Sequence, residues 1–160
     1  MPHDFIAKLA RDIKEKDERY LIERENQMHV ARVISEGGYL LWKGLNTKLK
    51  QYVDLLRANL GDNPLLNGDL RFSSQPNRIV ITKREFPYVS FVLTLNLNMH
   101  AATASLAKAN PRADGNNVAT TIKIEFKVGE FDRVYAIMNG VAYDEPDTLA
   151  KALMETIFAV

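Results

Sequence analysis

Residues 34–42 read Ile34-Ser35-Glu36-Gly37-Gly38-Tyr39-Leu40-Leu41-Trp42, and the fold turns on what the paired glycines do there. Upstream of them, Ile6, Leu9, Ala10, Ile13, Tyr20, Met28, Ala31 and Ile34 recur at helical spacing, which predicts a long helix from about Asp4 to Ser35. Downstream, Trp42, Leu45, Leu49, Val53, Leu56 and Leu60 step by three and four until Gly61-Asp62-Asn63-Pro64 stops them. A second helix is therefore expected. Glycine costs ~1 kcal/mol relative to alanine inside a helix, so Gly37-Gly38 reads as a break or kink between the two. An antiparallel hairpin and one bent helix both remain open.

The first helix is unusual in its middle. From Arg11 to Glu25 it alternates charge sign, with Asp12 to Lys16 and Glu15 to Arg19 in the favoured acid-first i,i+4 order. Its apolar seam thins between Ile13 and Tyr20, so residues 1–35 are expected to project from their own core or to pack against a second copy of the chain.

After Pro64 the period changes from 3.6 to 2. Leu70 and Phe72 open a strand, Gln75-Pro76-Asn77 is a turn, and Ile79 and Ile81 lie on the return strand. Val89, Phe91, Leu93, Leu95, Leu97 and Met99 share one face of a long strand, opposite Ser90, Thr94, Asn96 and Asn98. The small-residue run Ala101-Ala102-Thr103-Ala104-Ser105 is assigned to a strand by context, where it admits a closely packed helix or leaves room for an apolar ligand. Asn110 to Asn117 is read as the main loop and the best candidate for disorder. Ile122, Ile124, Phe126 and Val128 alternate with Thr121, Lys123, Glu125 and Lys127, and Gly129-Glu130 turns into Val134 to Met138. Pro146 to Val160 closes the chain as a helix, with Leu149, Leu153, Ile157 and Phe158 expected to pack. The expected class is α+β: two N-terminal helices, an antiparallel sheet of five or six strands, and a C-terminal helix on the sheet, forming one domain over residues 1–160.

Composition narrows the function classes. The 160 residues hold 21 basic and 20 acidic groups, three histidines and no cysteine. Residues 1–60 carry 11 basic and 9 acidic groups, 61–100 carry 4 and 3, and 101–160 carry 6 and 8. No segment has the concentrated basic surface that nucleic acid demands, so that partner is disfavoured. Without cysteine there is no disulfide framework, thiolate zinc site or cysteine nucleophile. No run approaches a membrane span, and charges at Asp4, Lys8, Arg11 and Asp12 interrupt any signal-peptide core, so the chain reads as cytoplasmic with no membrane partner.

Catalytic signatures are missing as well. His3, His29 and His100 are not paired at metal-ligand spacing. No glycine-rich phosphate loop and no GxSxG elbow occurs, and neither a cofactor nor a metal is expected. Asp144, Glu145 and Asp147 sit where a helix start attracts negative charge. Two candidate sites survive. Lys43, Lys50 and Arg57, seven residues apart, form a basic stripe that could meet an anion. His100 with Asn96 and Asn98, on one face of the expected strand, is the convergent polar set for a small-molecule site. The first expectation for function is a noncatalytic binding or interaction module that self-associates as a homodimer through its N-terminal helix. The alternative is a small-molecule-binding protein or enzyme with a pocket between sheet and helices.

Overall fold

A computed structural model describes residues 2–85, 88–109 and 117–159. It is an α+β structure in which a long helix and a C-terminal helix lie against one antiparallel sheet. The first helix, α1, runs unbroken from Pro2 to Leu60, 59 residues or roughly 88 Å of rod. The two expected helices are therefore one, with neither a hairpin nor a chain break at Gly37-Gly38.

The glycines serve close packing. A Cβ placed on Gly37 would lie 2.3 Å from Cγ2 of Val134, and one on Gly44 would lie 2.5 Å from Cγ of Pro146. The ~1 kcal/mol lost in helix propensity at each is offset by backbone-close contact with the sheet and with the start of the last helix. Along the same rod Ile34, Leu41, Trp42, Leu45, Leu49 and Val53 are buried. The Trp42 indole N–H donates to the Pro76 carbonyl at 2.9 Å, tying the rod to a hairpin turn.

Gly61, with φ of +112°, ends α1. A single-turn helix, α2 (Pro64–Asn67), follows, its first turn capped by the Asn63 side chain, which accepts from the Leu65 N–H at 3.0 Å. Asn67 is buried and organises the exit: its Oδ1 accepts from the Asp69 N–H at 2.9 Å while its Nδ2 donates to the Gly61 carbonyl at 2.8 Å.

Among the described residues, seven strands then pair in chain order as an antiparallel meander: β1 (Leu70–Gln75), β2 (Arg78–Lys83), β3 (Val89–Asn96), β4 (Ala101–Ala109), β5 (Asn117–Val128), β6 (Val134–Met138) and β7 (Val141–Tyr143). The expected count of five or six fell short at β7. This three-residue strand is joined to β6 by Asn139-Gly140, both at positive φ, the two-residue turn whose twist suits a hairpin. Most of the loop expected at Asn110 to Asn117 lies outside the described residues, and Asn117 begins β5.

One face of the sheet is buried: Ile79, Ile81, Phe91, Leu93, Ala104, Ile124 and Ala136 belong to a single core with the inner residues of α1. Ala102 and Ala104, from the small-residue run, are buried, whereas Thr103 and Ser105 face outward. The last helix, α3 (Pro146–Phe158), adds Leu149, Ala150, Leu153 and Ile157, with Phe158 packed against them. Lys108 of β4 fixes its far end by donating to the carbonyls of Thr156 at 2.6 Å and Ala159 at 3.3 Å. Burial there pulls the Lys108 ammonium below its ordinary range.

Candidate interaction surface

The core-facing stripe of α1 does not stop where the sheet stops. At 3.6 residues per turn, Ile6, Leu9, Ile13 and Tyr20 lie in line with Ala31, Gly38, Trp42 and Leu49, yet residues 3–30 are exposed throughout. These 28 residues form an arm roughly 42 Å long. Ile6 is 61% exposed, Ile13 56%, Tyr20 62% and Met28 58%. In a folded chain such side chains normally lose most of their contact with water, at roughly 1.5–3 kcal/mol each.

A notch lies at the root of the arm, where α1 leaves the sheet. Its volume is about 500 Å³, and Val30, Ile34, Met99 and Phe126 supply its apolar lining. Chain reversal between β3 and β4 shapes it. The long strand expected through Met99 ends at Asn96, because Leu97–Met99 forms a 3₁₀ turn closed by His100 in the left-handed region, φ 54°. Consequently Met99 points out, 72% exposed, instead of sharing the buried face with Leu95. The His100 carbonyl accepts from the Phe126 N–H at 2.8 Å, which locks the turn onto β5. His100 lines the notch, and its Nδ1 is buried with no hydrogen-bond partner.

The rim is charged. Glu125 pairs with Lys123 at 3.3 Å and Lys127 at 3.5 Å, and these two ammonium groups hold its carboxyl below the usual carboxylate range. Beside the rim, His29 of the arm meets Asp132 at 3.0 Å, in a turn where Phe131 and Asp132 both adopt positive φ. Phe131 is 93% exposed there. Two consecutive non-glycine residues in the left-handed region are locally strained, and the contact with His29 braces the second of them.

Of the residues proposed from sequence, only His100 reaches this notch. Asn96 ends β3 and Asn98 lies within the 3₁₀ turn, both exposed, so the three do not share a strand face. The alternation misleads there because β3 ends three residues before Met99. The basic stripe is dispersed into local contacts. The Lys43 ammonium stands 4.7 Å from the centre of the Tyr39 ring, and the Arg57 guanidinium donates to the Leu70 carbonyl at 2.9 Å while pairing with Asp54 at 3.5 Å. Lys50 is exposed. Asp147 accepts a hydrogen bond from the Tyr52 hydroxyl and pairs with Lys151 at 3.2 Å, which together hold its carboxyl below the ordinary range. Among the described residues no group of three or more His, Cys, Asp or Glu side chains is placed to hold a metal ion, and no helix is long and apolar enough to cross a membrane.

Compared with protein-family models, curated proteins and solved structures, the chain matches none.

Proposed function

We propose that this protein is a noncatalytic interaction module that self-associates through the projecting half of α1. The observation that carries this reading is the exposed arm, residues 3–30, whose apolar stripe continues the stripe that packs the core. An isolated helix in water is only marginally stable even when its sequence is favourable, and the alternating charges of residues 11–25 supply only a few tenths of a kcal/mol per pair. Covering Ile6, Ile13, Tyr20 and Met28 against another surface supplies the missing term. The near-neutral charge of this segment favours a protein surface over a nucleic acid.

Light scattering on the purified protein is expected to report a dimer at micromolar concentration. Ile13→Arg with Tyr20→Arg is expected to yield a monomer whose Trp42 emission is unchanged, since both positions lie far from the core. A monomeric parent protein would overturn the proposal.

The second reading, a small-molecule site, is favoured by one observation, the unpartnered Nδ1 of His100 at a notch of about 500 Å³. Its test is native mass spectrometry. A small molecule retained by the parent and lost from His100→Ala would support it, and the absence of any retained molecule would count against it.

A further inference from the structure

The arm carries a pattern that goes beyond a capacity to associate: it is self-complementary when reversed. At 3.6 residues per turn, one face of the arm presents Ile6, Ala10, Ile13, Asp17, Tyr20, Leu21, Arg24, Met28, Ala31 and Ser35. Read from its midpoint outward, Tyr20 answers Leu21, Asp17 answers Arg24, Ile13 answers Met28, Ala10 answers Ala31 and Ile6 answers Ser35. Tyr20 and Ile13 are matched by apolar side chains, Ala10 by another alanine and the acid by the base, while Ile6 at the end meets the small Ser35.

Resting on the self-association reading above, we infer that two copies pair their arms antiparallel about a two-fold axis between Tyr20 and Leu21. The occupant is thus a second copy of this chain. Two observations select this arrangement. Asp17 and Arg24 interrupt the apolar face, and seven residues put them roughly 10 Å apart along one helix, too far to neutralise each other. Reversal brings the Asp17 of each copy onto the Arg24 of the other, two charge pairs in place of four unpaired charges. A parallel pairing would set Asp17 against Asp17 and Arg24 against Arg24, which like-charge repulsion disfavours; charges within a helical seam commonly specify orientation and register in this way. Sliding the reversed pairing in either direction, to centre on Asp17 or on Arg24, sets like charges against each other.

Because the chain has no cysteine, one introduced thiol reports one position. Helices packed 8–10 Å apart (about that range for all classes) allow a short bismaleimide to bridge facing residues. Leu21→Cys is expected to cross-link to itself, since the two copies of residue 21 stand about 1.5 Å apart along the axis. Ile6→Cys is expected not to, because its copies stand roughly 44 Å apart, yet Ile6→Cys mixed with Ser35→Cys is expected to give the mixed dimer. Asp17→Arg or Arg24→Asp alone is expected to weaken dimerisation at least tenfold, and the Asp17→Arg/Arg24→Asp double variant to recover most of it, with helix content by far-ultraviolet circular dichroism held constant. Self-cross-linking of Ile6→Cys, or no recovery in the double variant, would overturn the register while leaving self-association intact. A monomeric parent protein removes both readings.

Discussion

Gly37→Ala puts the packing role of the helix glycines to a quantitative test. In an exposed helix this change stabilises by about 1 kcal/mol. Here the added methyl carbon would lie 2.3 Å from Cγ2 and 2.8 Å from Cβ of Val134, so one of the two elements must shift. Overpacking of this kind costs typically about 1–3 kcal/mol, and the net expectation is a loss of roughly 0–2 kcal/mol. The neighbouring Gly38→Ala is the internal control. Its Cβ meets the Phe126 ring at 3.4 Å, an ordinary contact, so the propensity gain should survive. Two adjacent, chemically identical substitutions are thus expected to differ by about 1–3 kcal/mol, with Gly37→Ala the less stable. Urea unfolding followed by circular dichroism, at one fixed protein concentration because association shifts apparent stability, reads the difference directly. The decisive measurement is the double-mutant cycle with Val134→Gly, which removes both atoms in the way, Cγ2 and Cβ. Gly37→Ala should then turn favourable, with a coupling of about 1–3 kcal/mol. A Gly37→Ala effect that is the same in both backgrounds would refute the close-packing account of why α1 runs unbroken.

Three further expectations follow from single contacts. Asn67→Ala strips the buried bonds to Gly61, Asp69 and Leu70 and should cost about 1–3 kcal/mol, read as a Tm lowered by several degrees. Tyr52→Phe removes the hydroxyl that holds the Asp147 carboxyl below its ordinary 3.8. A depressed carboxyl stabilises the fold above its unfolded value and loses that contribution as pH falls through the folded one, so the variant should lose less stability than the parent between pH 5 and pH 2, about the span over which carboxylates titrate. The same contact raises the Tyr52 hydroxyl above 10.0, so its contribution to the parent is present below that pH and is lost on further alkalinisation, a step absent from Tyr52→Phe in urea titrations across that range. Trp42→Phe should cost about 1–3 kcal/mol through the lost bond to Pro76 and the space left in the core, and the parent's single tryptophan should emit at short wavelength until unfolding exposes it.

Much of the architecture was legible in the amino-acid order. The three- and four-residue steps from Trp42 to Leu60, the alternation from Ile122 to Val128 and the proline-led closing helix at Pro146 each describe an element that must bury one face, and periodicity reports that need directly. The strand β7 left a usable signal in Asn139-Gly140, but three residues with two exposed are too short to show a period. The extent of β3 misled for a different reason: Leu97 and Met99 continue the alternation, while the chain turns at His100.

The candidate surface divides along the same line. Spacing alone predicted a charged, sparsely apolar helix from about Asp4 to Ser35, because helical geometry is local and the residues on each face follow from spacing. Whether Gly37-Gly38 broke that helix could not be decided locally, since a glycine that ends a helix and a glycine that lets a neighbour approach are the same residue. The tertiary structure decided it by placing Val134 and Phe126 against the two α-carbons. With the helix continuous, most of its first half is carried beyond its own sheet, and the stripe that would have folded back as a hairpin is left exposed.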